Sequence, residues 1–131
     1  MTDAESMEPF ERLAEVRRLR ATEPDRIARA AARRRRRPLL GPDGRLLIVA
    51  ADHTARGVMG VRDEPMAMAS RDDLLRRLLV ALECPGVDGL LATPDVVEDL
   101  LLLGALDHKI VIGSMNRGGL RGAAFELEDR F

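Results

Sequence analysis

The sequence RLLIVAADHTARGVMG, residues 45–60, decides the fold of this chain, because it joins a short apolar run to a polar cluster and two glycines. The apolar run, residues 46–51, follows the turn-forming sequence GPDG at residues 41–44. A run of this length is too short for a helix and is typical of a strand that is buried on both faces. Such strands occur in parallel sheets that helices cover. The stretch therefore predicts an α/β protein with its chemistry immediately after the strand.

Two further strands and two helices are predicted downstream. Val87–Thr93 and Lys109–Ser114 are short apolar runs that indicate strands, and each is preceded by leucines at helical spacing. Ser70 and Thr93 stand where the N-cap of each helix is expected. The order strand, helix, strand, helix, strand predicts a parallel sheet with helical crossovers.

A change in charge near Pro38 divides the chain into two parts. Residues 1–40 carry 11 arginines and 7 acids, whereas residues 41–131 carry 10 basic and 15 acidic residues. We expect residues 1–40 to form a helical cap of two helices, Pro9–Arg20 and Glu23–Arg36. Residues 41–131 then form the α/β part.

The composition restricts the class of protein. The chain has 131 residues, a net charge of -1, 46% hydrophobic and 33% charged residues, as globular proteins do. No apolar run approaches the roughly 18 residues of a membrane span. The first residues are acidic where a secretory signal is basic and then apolar. We therefore expect a cytoplasmic protein with no membrane partner.

Neither a metal nor a cofactor is expected. Cys84 is the only cysteine, and His53 and His108 are the only histidines and fall at opposite edges of the predicted sheet. Those residues do not supply the ligand set of a zinc site. The glycines after the first and third strands match neither a phosphate-binding Walker loop nor the dinucleotide fingerprint.

The run of five arginines at Arg33–Arg37 admits two interpretations. Such runs occur in nucleic-acid-binding proteins. Cations at the end of a helix also complement its dipole, and Pro38 stops the predicted helix at this point. Because no aromatic stacking platform accompanies the run, we favour the second interpretation and expect no nucleic-acid partner.

Polar side chains follow all three predicted strands, and the carboxyl ends of parallel strands meet at one edge of a sheet. Side chains alternate along a strand, so Asp52 shares a face with Ala50 while His53 points to the other face. We expect Asp52 to have a functional role; the alternative is that it only caps the following loop. The candidate substrate-binding residues are His53, Arg56, Thr93, Ser114, Asn116 and Arg117.

Three stretches resemble a known family. The strand ending in AADH (residues 50–53), with glycines after it, resembles the first strand of class I aldolases of the deoxyribose-phosphate and archaeal-type fructose-bisphosphate group. GVDGLLATPDVVEDLLLLGAL (residues 86–106) and IVIGSMNRGGLRGAAFELEDRF (residues 110–131) are similar to a bacterial deoxyribose-phosphate-aldolase-like family associated with inositol catabolism. The most specific part is GSMNRGGLRGA, residues 113–123.

The resemblance implies a fold and an activity. These aldolases are eight-stranded (β/α)8 TIM barrels of about 250 residues, so the chain would be an N-terminal helical cap followed by about three βα units of an incomplete barrel. Members of the family are lyases that cleave a carbon–carbon bond of a sugar or sugar phosphate through a lysine Schiff base. The resemblance places that lysine on a later strand. Lys109, the only lysine, begins its strand instead. The resemblance thus implies an inactive fragment of a full-length homo-oligomer, with Asp52 as acid/base and Ser114, Asn116 and Arg117 binding hydroxyls or a phosphate.

A different class of function is open on the same residues. The chain is then a small α/β module that binds a sugar or a phosphorylated ligand without turnover.

Overall fold

The computed structural model describes residues 9–115, with side chains from Glu11 onward. Short apolar runs form the strands, and segments with apolar residues at helical spacing form the helices. A 3-10 turn, Thr54–Arg56, follows the first strand. The helices and strands in chain order are α1 (Pro9–Thr22), α2 (Asp25–Arg33), β1 (Ile48–Ala50), α3 (Arg71–Glu83), β2 (Gly89–Ala92), α4 (Pro94–Leu102) and β3 (Ile110–Gly113).

The three strands form one parallel sheet in the order β1-β2-β3. Val49 pairs with Leu90, and Leu90 pairs with Val111, so these three side chains lie side by side on one face. That face packs on α3 and α4 in a single hydrophobic cluster, in which Leu90 of β2 and Leu100 of α4 are fully buried. The parallel sheet and its helical crossovers confirm the predicted order of elements.

The opposite face of the sheet is not covered by helices within residues 9–115. Ala50 in β1 is exposed, and Ile112 in β3 is 40% exposed. Leu46 and Leu47, expected inside the first strand, precede β1 and are 37% and 56% exposed. The prediction of a strand buried on both faces is therefore wrong, because α3 and α4 pack on one face only.

The prediction of an incomplete TIM-type (β/α)8 barrel is also wrong. The structure is a small α/β domain of four helices and a three-stranded open sheet, in which β1 and β3 are the edge strands of the described residues. A barrel requires strands that pair around a closed ring. The βα alternation that suggested a barrel is shared by open α/β sheets, so it does not distinguish the two. None of the described helices is both long enough and apolar enough to cross a membrane.

The first helix joins the core of the sheet through apolar and ionic contacts. Leu13 of α1 belongs to the hydrophobic cluster of the sheet. Asp99 of α4 is 3% exposed, and its carboxylate accepts hydrogen bonds from Arg20 of α1 and from Arg71 of α3. One buried carboxylate therefore connects three helices.

The run Arg33–Arg37 is not a helix terminus throughout, because α2 ends at Arg33 and the rest is extended. Arg34 donates to the carbonyl of Lys109 at 2.8 Å, and Arg37 donates to Asp88 at 2.8 Å. The backbone N–H of Leu47, together with the Arg37 guanidinium, holds the pKa of Asp88 below its ordinary value. Two of the five arginines thus attach this segment to the edge of the sheet where the strands begin.

Gly89 marks a close approach between β2 and β3. A Cβ atom at this position would lie 2.4 Å from the carbonyl oxygen of Ile110 and 2.8 Å from its Cβ. The backbone of β3 would have to move to admit any larger residue. Gly86, in the turn before β2, has open space around the same position.

Replacing Gly89 by alanine should destabilise the protein by about 2 kcal/mol or more, because a methyl group is forced against the backbone of β3. Gly86→Ala is the matched control and should change stability by less than roughly 0.5 kcal/mol. Urea unfolding followed by circular dichroism measures both. Equal stability of the two variants would contradict the close packing of β2 and β3.

Replacing Asp99 by asparagine should cost about 3 kcal/mol, because Arg20 and Arg71 then lose the buried charge that they share. Asp25→Asn is the control, since the Asp25 side chain is 72% exposed and pairs with Arg29 on the surface. That control should lose less than about 0.5 kcal/mol. Comparable losses in both variants would show that the Asp99 cluster does not hold the helices together.

Candidate functional site

Asp52 lies two residues after the end of β1, at the edge of the sheet where the strands end. The N–H of Ala51 still bonds to the carbonyl of Leu91, so the pairing of β1 with β2 holds the backbone up to Asp52. Asp52 is 5% exposed. Its Oδ2 accepts a hydrogen bond from Arg56 Nη2 at 2.7 Å and lies 3.5 Å from Ser114 Oγ.

The short 3-10 turn brings Arg56 back to Asp52. The N–H of Arg56 bonds to the carbonyl of His53, and the N–H of Gly57 bonds to the carbonyl of Thr54. Gly57 has a φ of 78°, a left-handed conformation that glycine adopts without strain. The chain therefore reverses within one turn, and the guanidinium reaches the carboxylate four residues before it.

Ser114 reaches the site from the end of β3. Its N–H bonds to the carbonyl of Ala92 in β2, which continues the parallel pairing by one residue beyond β3. The predicted convergence of strand ends is therefore observed for Asp52 and Ser114, from the first and third strands. Their contact crosses the end of β2, the middle strand.

Thr93, the remaining strand-end residue, has a role at the start of α4. Thr93 is 6% exposed and is the N-cap residue of α4. Burial raises the pKa of Asp95, but a hydrogen bond from the Thr93 hydroxyl and the pairing with Arg71 outweigh it and hold that pKa below its ordinary value. Thr93 is thus engaged with the first turn of α4.

Of the other candidates, His53 is not part of the cluster among the described residues. His53 is exposed and contributes its carbonyl to the turn. Asn116 and Arg117 lie outside the described residues. Lys109 lies at the opposite edge, where its Nζ donates to the carbonyls of Val87 at 2.5 Å and Cys84 at 3.5 Å.

The site is an ion pair with a hydroxyl beside it. Asp52 Oδ2 is occupied by Arg56 and faces Ser114, whereas Oδ1 receives no hydrogen bond from any residue in the described part of the chain. No backbone N–H among those residues bonds to this carboxylate, so the loop-capping alternative is not what the structure shows. Within residues 9–115, no three histidine, cysteine, aspartate or glutamate side chains come together as a metal-binding group.

The pairing of Asp52 with Arg56 was not predicted, although both residues were candidates. The signal was available, because an acid and an arginine four residues apart meet whenever the chain between them makes a helical turn. No helix was predicted directly after the first strand, so this spacing rule was not applied to Asp52 and Arg56.

The comparisons with known proteins identify a family. The model of the family described as Cgl0159-like matches residues 44–131. The crystal structure of Cgl0159 from Corynebacterium glutamicum (Brevibacterium flavum) is 57% identical over 92% of this chain, with a TM-score of 0.84. The aligned part is 41% of that protein, so this chain spans less than half of its length. No curated protein matches the chain.

These matches correct the resemblance to aldolases. Neither points to the aldolase superfamily, to a deoxyribose-phosphate-aldolase-like family or to inositol catabolism, so that assignment was wrong. The matching strand-end motifs are compatible with any parallel α/β sheet, because all such sheets place polar residues and glycines after their strands. Since the family model covers residues 44–131 and the solved structure matches nearly the whole chain, the chain belongs to the Cgl0159-like family.

Proposed function

We propose that the strand-end cluster of Asp52, Arg56 and Ser114 binds a small sugar or sugar phosphate. The supporting observation is the buried carboxylate of Asp52, which has one oxygen engaged by Arg56 and the other without a donor among the described residues. A sugar hydroxyl is a donor of the kind that Oδ1 lacks. The hydroxyl of Ser114 adds a group that both donates and accepts.

The hydrogen bonds of Asp52 leave Oδ1 open to water or to a ligand. Burying a carboxylate is unfavourable unless its oxygens are hydrogen-bonded. Arg56 compensates only in part, because its side chain is 37% exposed and contacts one oxygen. A ligand hydroxyl on Oδ1 completes the set of hydrogen bonds and is itself held by a charged acceptor, which strengthens the bond.

The position of the cluster also fits a binding site. In open parallel sheets, ligands bind in the crevice outside the carboxyl ends of the strands. Asp52 continues the alternation of Ile48 and Ala50, which lie on the face that α3 and α4 leave uncovered. The site is therefore approached from the uncovered side of the sheet.

Several expectations stay predictions. Carbon–carbon bond cleavage was implied by the resemblance alone, and none of the comparisons tests it. Lys109 is bound to two backbone carbonyls at the other edge of the sheet and does not supply a Schiff-base amine here. Cytoplasmic location, homo-oligomerisation and the absence of a nucleic-acid partner also stay predictions.

Replacing Asp52 by asparagine tests the proposal with little change of shape. The variant loses a charged hydrogen bond worth about 1.5–3 kcal/mol, so the affinity for ribose and for ribose 5-phosphate should fall roughly 10-fold or more. Titration followed by NMR chemical shifts measures weak binding of both probes. Glu83→Gln is the control, because Glu83 is an exposed acid at the end of α3.

The Glu83 variant should bind both probes as the wild type does, and both variants should keep the circular dichroism spectrum of the wild type. Binding that is unchanged in Asp52→Asn would contradict the proposal. A failure of the wild type to bind any of a set of pentoses, hexoses and their phosphates would contradict it as well.

A further inference from the structure

An arginine can bind an oxyanion through two neighbouring N–H groups, those of Nε and Nη2. Arg56 uses only one of them within the described part of the chain. Its Nη2 donates to Asp52 Oδ2 at 2.7 Å. Its Nε lies on the same edge of the guanidinium, is buried, and finds no acceptor in the part of the chain that the structure describes. In paired arginines the two N–H groups of this edge commonly bind two oxygens of one carboxylate or phosphate.

Other arginines of the chain use the whole edge. Arg18 donates to Glu15 through Nε at 2.8 Å and through Nη2 at 2.5 Å. Arg71 donates to Asp99 through Nε at 3.0 Å and through Nη2 at 2.7 Å. Among the buried side-chain nitrogens of the described residues, only Nε of Arg56 is without an acceptor.

We infer that Arg56 is the residue that selects an anionic ligand, a sugar carrying a phosphate or a carboxylate, at the site of the proposed function. This inference rests on that function and adds the charge of the ligand to it. In the structure the guanidinium lies on Asp52, and its Nε has no acceptor among the described residues. An oxyanion on the ligand accepts from both Nε and Nη2, while Asp52 turns from Arg56 to the hydroxyls of the sugar.

The change needs only movements of the side chains of Arg56 and Asp52. The buried Nε becomes accessible when the guanidinium turns outward, and 37% of the side chain already contacts solvent. The backbone stays in place, because the 3-10 turn is held by its own hydrogen bonds and by Gly57. A buried N–H without an acceptor is unfavourable, so pairing of Nε with the ligand removes this cost.

A neutral sugar cannot make the bidentate contact with Nε and Nη2 of Arg56, because it has no oxyanion. The hydroxyls of a neutral sugar can pair with Asp52. Toward the guanidinium, however, each hydroxyl oxygen is only a single, uncharged acceptor. Charge-assisted bidentate bonds are roughly twice as strong as neutral ones. The wild type should therefore bind an anionic sugar roughly 10-fold more tightly than the neutral sugar.

The test compares ribose, ribose 5-phosphate and gluconate as probes in NMR titrations of the full 131-residue chain. The variants are Arg56→Gln, which removes the charge, and Arg56→Lys, which keeps the charge without the fork. Arg76→Gln is the control, because it removes an exposed arginine on α3 and changes the net charge equally. Thermal unfolding of each variant shows that it is folded.

The expected result is a preference for ribose 5-phosphate or for gluconate in the wild type and in Arg76→Gln. The preferred probe distinguishes a phosphate ligand from a carboxylate ligand. The preference should disappear in Arg56→Gln and fall to a few-fold in Arg56→Lys, whereas Arg76→Gln should bind ribose as the wild type does.

Two results would overturn the inference but leave the proposed function standing. One is equal affinity of the wild type for ribose and both anionic probes. The other is a preference for an anionic probe that persists in Arg56→Gln. Absence of binding of all three probes to the wild type would overturn both the inference and the proposed function.

Discussion

The packing of α3 and α4 on one face of a three-stranded parallel sheet is the constraint on which the other features depend. Leu90 and Ala92 of the middle strand are fully buried against those helices. Because side chains alternate along a strand, the same packing turns Ala50 and Ile112 to the uncovered side. It also places Asp52, two residues after Ala50, toward the side that no helix of residues 9–115 covers. The packing of the core thus determines the direction in which Asp52 points.

The polar contacts divide into two groups with different roles. Asp99 with Arg20 and Arg71, and Asp88 with Arg37, join helices and the edge of the sheet where the strands begin, and in both groups the carboxylate is fully engaged. The Asp52 cluster lies at the opposite edge, and it is there that a carboxylate oxygen and a guanidinium nitrogen are left without partners among the described residues. Buried polar groups are nearly always paired, so the unpaired Nε of Arg56 needs an explanation, and a bound ligand is the one that we propose. The partly engaged carboxylate of Asp52 thus distinguishes this edge from the fully paired clusters of Asp99 and Asp88.

The sequence predicted the order of elements and the meeting of Asp52 with Ser114, since both follow from hydrophobic runs and from the parallel arrangement of strands. It did not predict that β1 is covered on one face only, because a run of apolar residues looks the same whatever packs against it. The extended conformation after Arg33 was also missed. Arginine favours helices, so the local sequence predicts a longer helix. The segment is extended because its arginines bind partners that are distant in sequence, Asp88 and the carbonyl of Lys109. The barrel and the aldolase assignment failed because motifs at strand ends are shared by unrelated α/β families.

The central claim, that the strand ends around Asp52 form the ligand site, is tested most directly by mapping where a ligand binds. Backbone amide chemical shifts of the isotope-labelled chain would be followed during titration with ribose 5-phosphate. The account predicts saturable shifts that cluster at Ala51–Gly57 and at Ser114, with little change along α2 and at the beginning of each strand. Saturable shifts confined to the arginine segment 33–37, with none at Asp52, would contradict it.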